Sequence, residues 1–317
     1  MRVSCPHSLS KLRMSGHTNS VTSVLNQGWD ERILVFSNDE LVQTFIVITQ
    51  RYVVLVDTMI NEDTAVSLYH HAREFLENGR QLLIINTHAD YDHAWGNQLF
   101  AGPTARHPAP IIGSRRCANL LRGEESASTL AKMQIDEPAI FGDVRLTPPT
   151  ILFDETLAID GGDLTLELFA TPGHTSDHIA LYLPEINTLL AADAAEMPFP
   201  FARTPAGLPA MRTSLARLAG YQANFVLYCH APVTIGPQLL QDNIAYFDKL
   251  EHFCQAFLAR EDATLPQEDE ELISAVGLPY NQAVPPGENW QSVHQFYQTT
   301  GHARQIRTML EVLSGGK

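Results

Sequence analysis

The stretch LLIINTHADYDHAWGN, residues 82–97, runs an unbroken aliphatic segment straight into four metal-ligand side chains, His88, Asp90, Asp92 and His93. The apolar run is short and bounded by polar residues, which reads as a buried strand. The four ligand types that follow cannot share one helix face at their spacing. On a loop that leaves a strand and enters a helix, they can all point at one place. Metal chemistry needs this, because imidazole nitrogens and carboxylate oxygens must converge to about 2.0–2.2 Å around a small cation. Taken alone, the cluster also has a plainer explanation, in which the aspartates cap a helix start and the histidines are incidental.

Working outward, the segments ILVF from Ile33, LVQTFIVIT and YVVLVDT are β-branched runs separated by polar turns, a meander of strands. Residues 62–77 place Ala65, Leu68, Ala72, Phe75 and Leu76 at helical spacing, and Gly79 closes that segment. Strand, strand, helix, strand is the order of a layered α/β fold. Residues 113–150 read as a cap, with a helix in RCANLLRGEESASTLAKM and a loop in RLTPPT. Strands return in LTLELFA, IALYLPE and NTLLAA, a helix is expected over 213–219, and FVLY forms one more strand. After Pro232 the pattern is helical. Leu240, Ile244, Phe247, Leu250, Phe253 and Phe257 form an apolar stripe read as core or dimer surface, and a second helical region spans 291–313 with a break at Gly301. The acidic run EDATLPQEDEE is expected to be a solvated connector.

Three more ligand types stand just beyond strands: His174 after a Pro-Gly turn, Asp193 after NTLLAA, and His230 after FVLYC. Ligands at successive strand ends gather on one edge of a layered fold, where loops build sites on a rigid frame.

Composition narrows the function classes. The 317 residues carry 36 acidic and 21 basic side chains, a net charge of −15, together with 13 histidines. Such a balance argues against nucleic acid or an anionic lipid surface as the main partner. The cysteines, Cys5, Cys117, Cys229 and Cys254, are scattered and support neither a zinc ribbon nor a disulfide framework. With no apolar run of signal-peptide or membrane-span length, a soluble, cytoplasmic protein is expected. Its first 20 residues read as a tail.

The ordered set of motifs resembles the metallo-β-lactamase-fold superfamily, whose first motif is HxHxDH; here it stands as HxDxDH. LVDT, residues 55–58, is similar to the family's early strand end, where Asp57 supports the site. The resemblance covers about Ile33 to Pro232. It implies a four-layer αββα sandwich over 1–231, with a helical C-terminal extension over 232–317 packed on it. It also implies two divalent metal ions. One would take His88, Asp90 and His174, the other Asp92, His93 and His230, with Asp193 bridging. A bridging hydroxide would then cleave an ester, thioester, lactone or phosphodiester of a small molecule, and Asp92 would serve as catalytic residue as well as ligand. Zinc is the first expectation. Asp90, standing where most members have histidine, is a harder ligand that brings iron or manganese into range.

That substitution keeps two alternatives open: an iron-dependent oxidoreductase or dioxygenase on the same fold, and a non-catalytic metal- or ligand-binding protein. Flavodiiron members also carry a carboxylate at that place, but with a flavodoxin-like domain for which the tail here is too short. β-Lactam hydrolysis is not expected of a chain without a visible signal peptide. The pocket wall is expected from Trp95, the 113–150 cap and residues 197–203, where Arg203 is available to an anionic substrate group. The helical tail is a candidate homodimer surface.

Overall fold

In the computed structural model, which describes residues 16–77, 79–261 and 263–315, the chain divides into two compact units. Among the described residues, the first comprises 16–26 and 31–154, and the second comprises 27–30 and those from Glu155 onward. Of the tail expected over 1–20, residues 1–15 and with them Cys5 lie outside the described residues. Residues 16–20 are not ragged, because the buried Asn38 side chain donates to the carbonyls of Thr18 (2.9 Å) and Ser20 (2.7 Å).

The first unit holds a seven-stranded sheet in chain order: β1 (Thr22–Val24), β2 (Ile33–Asn38), β3 (Val42–Ile48), β4 (Tyr52–Val56), β5 (Gln81–Ile85), β6 (Ile111–Ser114) and β7 (Ile151–Phe153). The meander β1–β4 is antiparallel, whereas β4 to β7 run parallel. Parallel neighbours require a crossover, which α1 (Glu62–Ala72) supplies between β4 and β5. Asn61 caps α1 with a reciprocal Thr64 capping box. The helix expected over 62–77 ends earlier, at Ala72. It tightens into a 3₁₀ turn, Arg73–Phe75, whose Phe75 carbonyl accepts from the Arg80 guanidinium.

The cap region opens with β6 and continues through α3 (Arg115–Leu121), α4 (Glu124–Asp136) and α5 (Pro138–Phe141); α2 (Tyr91–Ala94) is the single turn that follows the β5 loop. Strand β6 is only four residues long, too short to display a period.

The second unit holds a five-stranded sheet, ordered β12-β11-β10-β9-β8. Its strands are β8 (Thr156–Asp160), β9 (Thr165–Ala170), β10 (Ile179–Leu183), β11 (Thr188–Ala192) and β12 (Phe225–Tyr228). Strand β8 was not expected from sequence; it is an edge strand with no fully buried residue. Helix α6 (Gly207–Gly220) is longer than the 213–219 reading. It is followed by α7 (Gln238–Leu258), α8 (Asp269–Val276), α9 (Tyr280–Ala283), α10 (Glu288–Gln291) and, after a π turn at Tyr297–Gly301, α11 (His302–Ser314). Helix α8 begins inside the acidic run expected as a connector. Asp269, Glu270 and Glu271 form its first turn, where carboxylates meet the positive end of the helix dipole, and Leu272 and Val276 bury.

The C-terminal helices share one core with this sheet: Ala180, Leu189, Val226 and Tyr228 cluster with Met211, Phe247, Leu250 and Ile306. No helix among the described residues is long and apolar enough to cross a membrane.

One polar group is sealed into that core. His302 lies with Nδ1 2.9 Å from the Tyr246 hydroxyl and Nε2 2.7 Å from the Leu278 carbonyl. The carbonyl can only accept, so Nε2 carries the proton and Nδ1 accepts from Tyr246. Burial lowers the His302 pKa below its ordinary 6.5 and outweighs the opposing carbonyl bond. The unfolded chain therefore takes up a proton below about pH 6.5 that the folded chain refuses, and this residue's share of stability is full above that pH and lost below it. Urea unfolding of the wild type should lose stability between pH 7.5 and 5.5, and His302→Gln should show a shallower loss. An unchanged slope would show that His302 is not its source.

Candidate metal centre

Strands β4 and β5 are parallel and in register at Val56 and Ile85, so the loops leaving them emerge on the same edge of the first sheet. Asp57, the first residue beyond β4, donates its N–H to the Ile85 carbonyl at 2.7 Å and holds a left-handed φ of +69°. A non-glycine residue there costs about 1–3 kcal/mol and persists only where its surroundings impose it. Its carboxylate, 1% exposed, accepts from Thr87 N–H (2.8 Å), Thr87 Oγ1 (2.7 Å) and His93 Nδ1 (2.8 Å). A buried charge demands such partners.

These bonds fix the imidazoles. Because Asp57 accepts at His93 Nδ1, that nitrogen carries the proton and Nε2 presents its lone pair. The Thr87 hydroxyl proton goes to Asp57, which leaves its oxygen to accept from His88 Nδ1 at 3.0 Å. His88 therefore also presents Nε2. Asp90 Oδ2 lies 3.3 Å from His88 Nε2, and Asp92 Oδ1 lies 3.9 Å from His93 Nε2. The motif is thus sorted into two imidazole–carboxylate pairs with ring centroids 4.1 Å apart. Gly96 secures the turn beyond α2, since a Cβ there would fall 2.2 Å from the Thr58 carbonyl oxygen. Trp95, expected as pocket wall, is buried edge-on against Tyr91 and Phe141.

In the second unit, β9 and β11 both run antiparallel to β10, and β12 runs parallel to β11, so β9, β11 and β12 end on one edge. His174, Asp193 and His230 follow those three ends. Pro172-Gly173 turns the chain into His174; Gly173 has φ +150°, and a Cβ on it would lie 2.3 Å from Met211 Cα on α6. Ala192, at φ +45°, turns Asp193 inward. A single oxygen, Asp193 Oδ2, stands 3.3 Å from His230 Nε2 and 3.8 Å from His174 Nε2. His178, four residues from His174, is a support: its Nε2 accepts the Asp193 N–H at 3.1 Å while Nδ1 meets Thr171 Oγ1 at 2.8 Å. Cys229 is buried just beyond β12.

Sequence reasoning missed Glu196. This acid is buried, and its Oε1 lies 3.1 Å from His174 Nδ1. The available signal was AADAAE, an acid three residues past Asp193 in an otherwise small-residue stretch. On the other side of the ring, Arg203 Nη2 lies 3.2 Å from His174 Nε2. Arginine has only donors, so Nε2 is the acceptor and Nδ1–H faces Glu196. A cationic group thus already approaches the nitrogen that a metal would use.

In each unit, imidazoles offer Nε2 beside carboxylate oxygens, with Nδ1 held by a protein acceptor at His88 and His93 and the Glu196 carboxylate lying 3.1 Å from Nδ1 at His174. This donor set suits a divalent cation with nitrogen and oxygen ligands. Gly173→Ala should lower the melting temperature through backbone strain and the clash with α6, by an amount equivalent to about 2 kcal/mol or more. A thermal scan showing no loss would contradict the close approach.

Comparison with known proteins agrees with this architecture. The sequence model of the metallo-β-lactamase superfamily matches residues 38–230. A hydroxyacylglutathione hydrolase of Hahella chejuensis is 27% identical over 196 residues, 58% of this chain and 62% of that protein. One from Pseudomonas aeruginosa is 34% identical over 124 residues, 35% of this chain and 48% of that protein. The chain therefore spans about half to three fifths of the length of these curated relatives. Among solved structures, a metallo-β-lactamase family protein from Thermus thermophilus superposes with a TM-score of 0.57 at 20% identity, covering 87% of this chain and 89% of that one. A metallo-β-lactamase from Pontibacter korlensis gives 0.51 at 19% identity, covering 71% and 97%. At such identities these structures speak for the fold alone, the two-sheet α/β class with added C-terminal helices. With more than half of its length matched, the chain belongs to the metallo-β-lactamase superfamily.

Proposed function

We propose that the chain is a metal-dependent hydrolase of a small-molecule thioester or related ester, with His88, Asp90 and His174 holding one ion, Asp92, His93 and His230 a second, and Asp193 bridging them. The observation that carries this reading is the single Asp193 oxygen within 4 Å of Nε2 on both His174 and His230, the placement a shared carboxylate needs. The pairing of His88 with Asp90 and of His93 with Asp92 supports the same division of ligands. Zinc fits the nitrogen-rich set, and Asp90 favours iron or manganese in its half.

Bound divalent ions would supply Lewis acidity, easing deprotonation of water and polarising the acyl carbonyl. Asp92 would hold the attacking water and take its proton. As the water oxygen bonds to the acyl carbon and the carbon–sulfur bond breaks, that proton would pass to the departing thiolate. Exposed Arg203 would pair with an anionic group of the substrate. The relatives' name, hydroxyacylglutathione hydrolase, supports a thioester first; lactones and phosphodiesters remain within the chemistry. Asp90 also favours a second reading, an iron-dependent oxygenase acting on a sulfur compound.

Chain purified without chelators should carry two metal equivalents by elemental analysis and hydrolyse a thioester in a panel with a lactone and a phosphodiester. Iron content with thiol-dependent oxygen uptake and no hydrolysis would favour the second reading instead. Asp92→Ala should abolish turnover while circular dichroism stays unchanged, and unchanged turnover would refute the assignment. Asp57→Ala, which removes the partner of His93 Nδ1, should weaken metal binding by about 10–100-fold in chelator competition.

A further inference from the structure

Helix α7 lies outside the residues matched to the superfamily, yet one of its side chains reaches the loop that carries Glu196. Asn243 is fully buried, and its amide is satisfied by main chain of that loop alone. Its Oδ1 accepts the Glu196 N–H at 3.1 Å, and its Nδ2 donates to the carbonyls of Glu196 at 3.0 Å and Pro198 at 3.1 Å. Three bonds from one rigid side chain on a 21-residue helix pin residues 196–198. The loop continues into Phe199, stacked on Tyr246 of α7 at 4.3 Å, and Phe201, which meets the ring of Tyr297 at 5.7 Å. The extension therefore holds this loop by both polar and aromatic contacts.

We propose that α7 is part of the metal-ligand support: Asn243 fixes the main chain of residues 196–198 so that the Glu196 carboxylate meets His174 Nδ1, making Asn243 and Glu196 positioning residues. The inference rests on His174 being a ligand, as proposed above. Charge and orientation at the His174 ring carry the effect. The Arg203 donor at Nε2 already selects the Nδ1–H ring form; a carboxylate 3.1 Å from Nδ1 adds negative charge beside the ring and raises the basicity of Nε2 toward a cation. Glu196 can only do this if its backbone is held still, and Asn243 has no other partner among the described residues to which its amide bonds.

The test uses the full chain, stripped of metal and titrated with zinc against a chromophoric chelator, with long-range proton–nitrogen spectra of the metal-free imidazoles as a second readout. The His174 signals are assigned by their absence in His174→Gln. Glu196→Ala and Asn243→Ala should each weaken one zinc site by about 10–100-fold, and in metal-free protein should shift the His174 ring nitrogen signals. Glu196→Gln, which keeps shape and an acceptor oxygen without the charge, should lose less affinity than Glu196→Ala. Phe253→Ala, a packing change on α7 distant in sequence from Asn243, should lower the melting temperature but leave zinc affinity unchanged. Folded Glu196→Ala and Asn243→Ala variants with wild-type affinity and unchanged His174 ring signals would overturn the proposal alone. So would an equal affinity loss in Phe253→Ala. A wild-type chain that binds no zinc would overturn the metal-centre reading and this inference with it.

Discussion

The buried carboxylate of Asp57 is the constraint on which the histidine–aspartate cluster of the first unit depends. A charge that is 1% exposed must be met by donors, and the three it receives come from Thr87 and His93. Those bonds draw the β5 loop against the end of β4, fix the His93 tautomer directly, and fix that of His88 through the Thr87 hydroxyl. Two imidazoles are thereby turned so that Nε2 on each faces a carboxylate of the same motif. The left-handed backbone at Asp57 is the local cost of placing that carboxylate at a strand end.

The second unit solves the same problem with different residues. The Glu196 carboxylate lies 3.1 Å from His174 Nδ1, while His178 anchors the Asp193 backbone. What differs is the origin of the support. Asp57 is held by the strand it ends; Glu196 is held by a helix far along the chain. The acidic balance of the whole molecule says little about these clusters, because their carboxylates face imidazole nitrogens, and Arg203 stands at His174.

Much of this was legible because strands and their ends carry strong signals. Aliphatic runs such as LLII and VVLV announce buried strands, and ligand residues at their ends stand out against them. Asp57 and all seven ligand candidates could be named from spacing and resemblance. Less was legible where the signal is short or conditional. Strand β6 has four residues, β8 lies exposed on an edge, and α8 starts inside an acidic run whose charges suit a helix N-terminus as well as a solvated loop. Glu196 and Asn243 were invisible for another reason: 47 positions separate them, and only the folded second unit brings them together. Nothing in local pattern distinguishes a buried asparagine that clamps a loop from one that merely faces solvent.

The central claim, that these ligands hold two ions bridged by Asp193, is tested most directly by anomalous diffraction from crystals of the metal-loaded chain, collected above and below the metal absorption edge. Two peaks are expected, one contacting His88, Asp90 and His174, the other Asp92, His93 and His230, with Asp193 reaching both. A single peak that leaves Asp193 uncoordinated, or none at these residues, would contradict it.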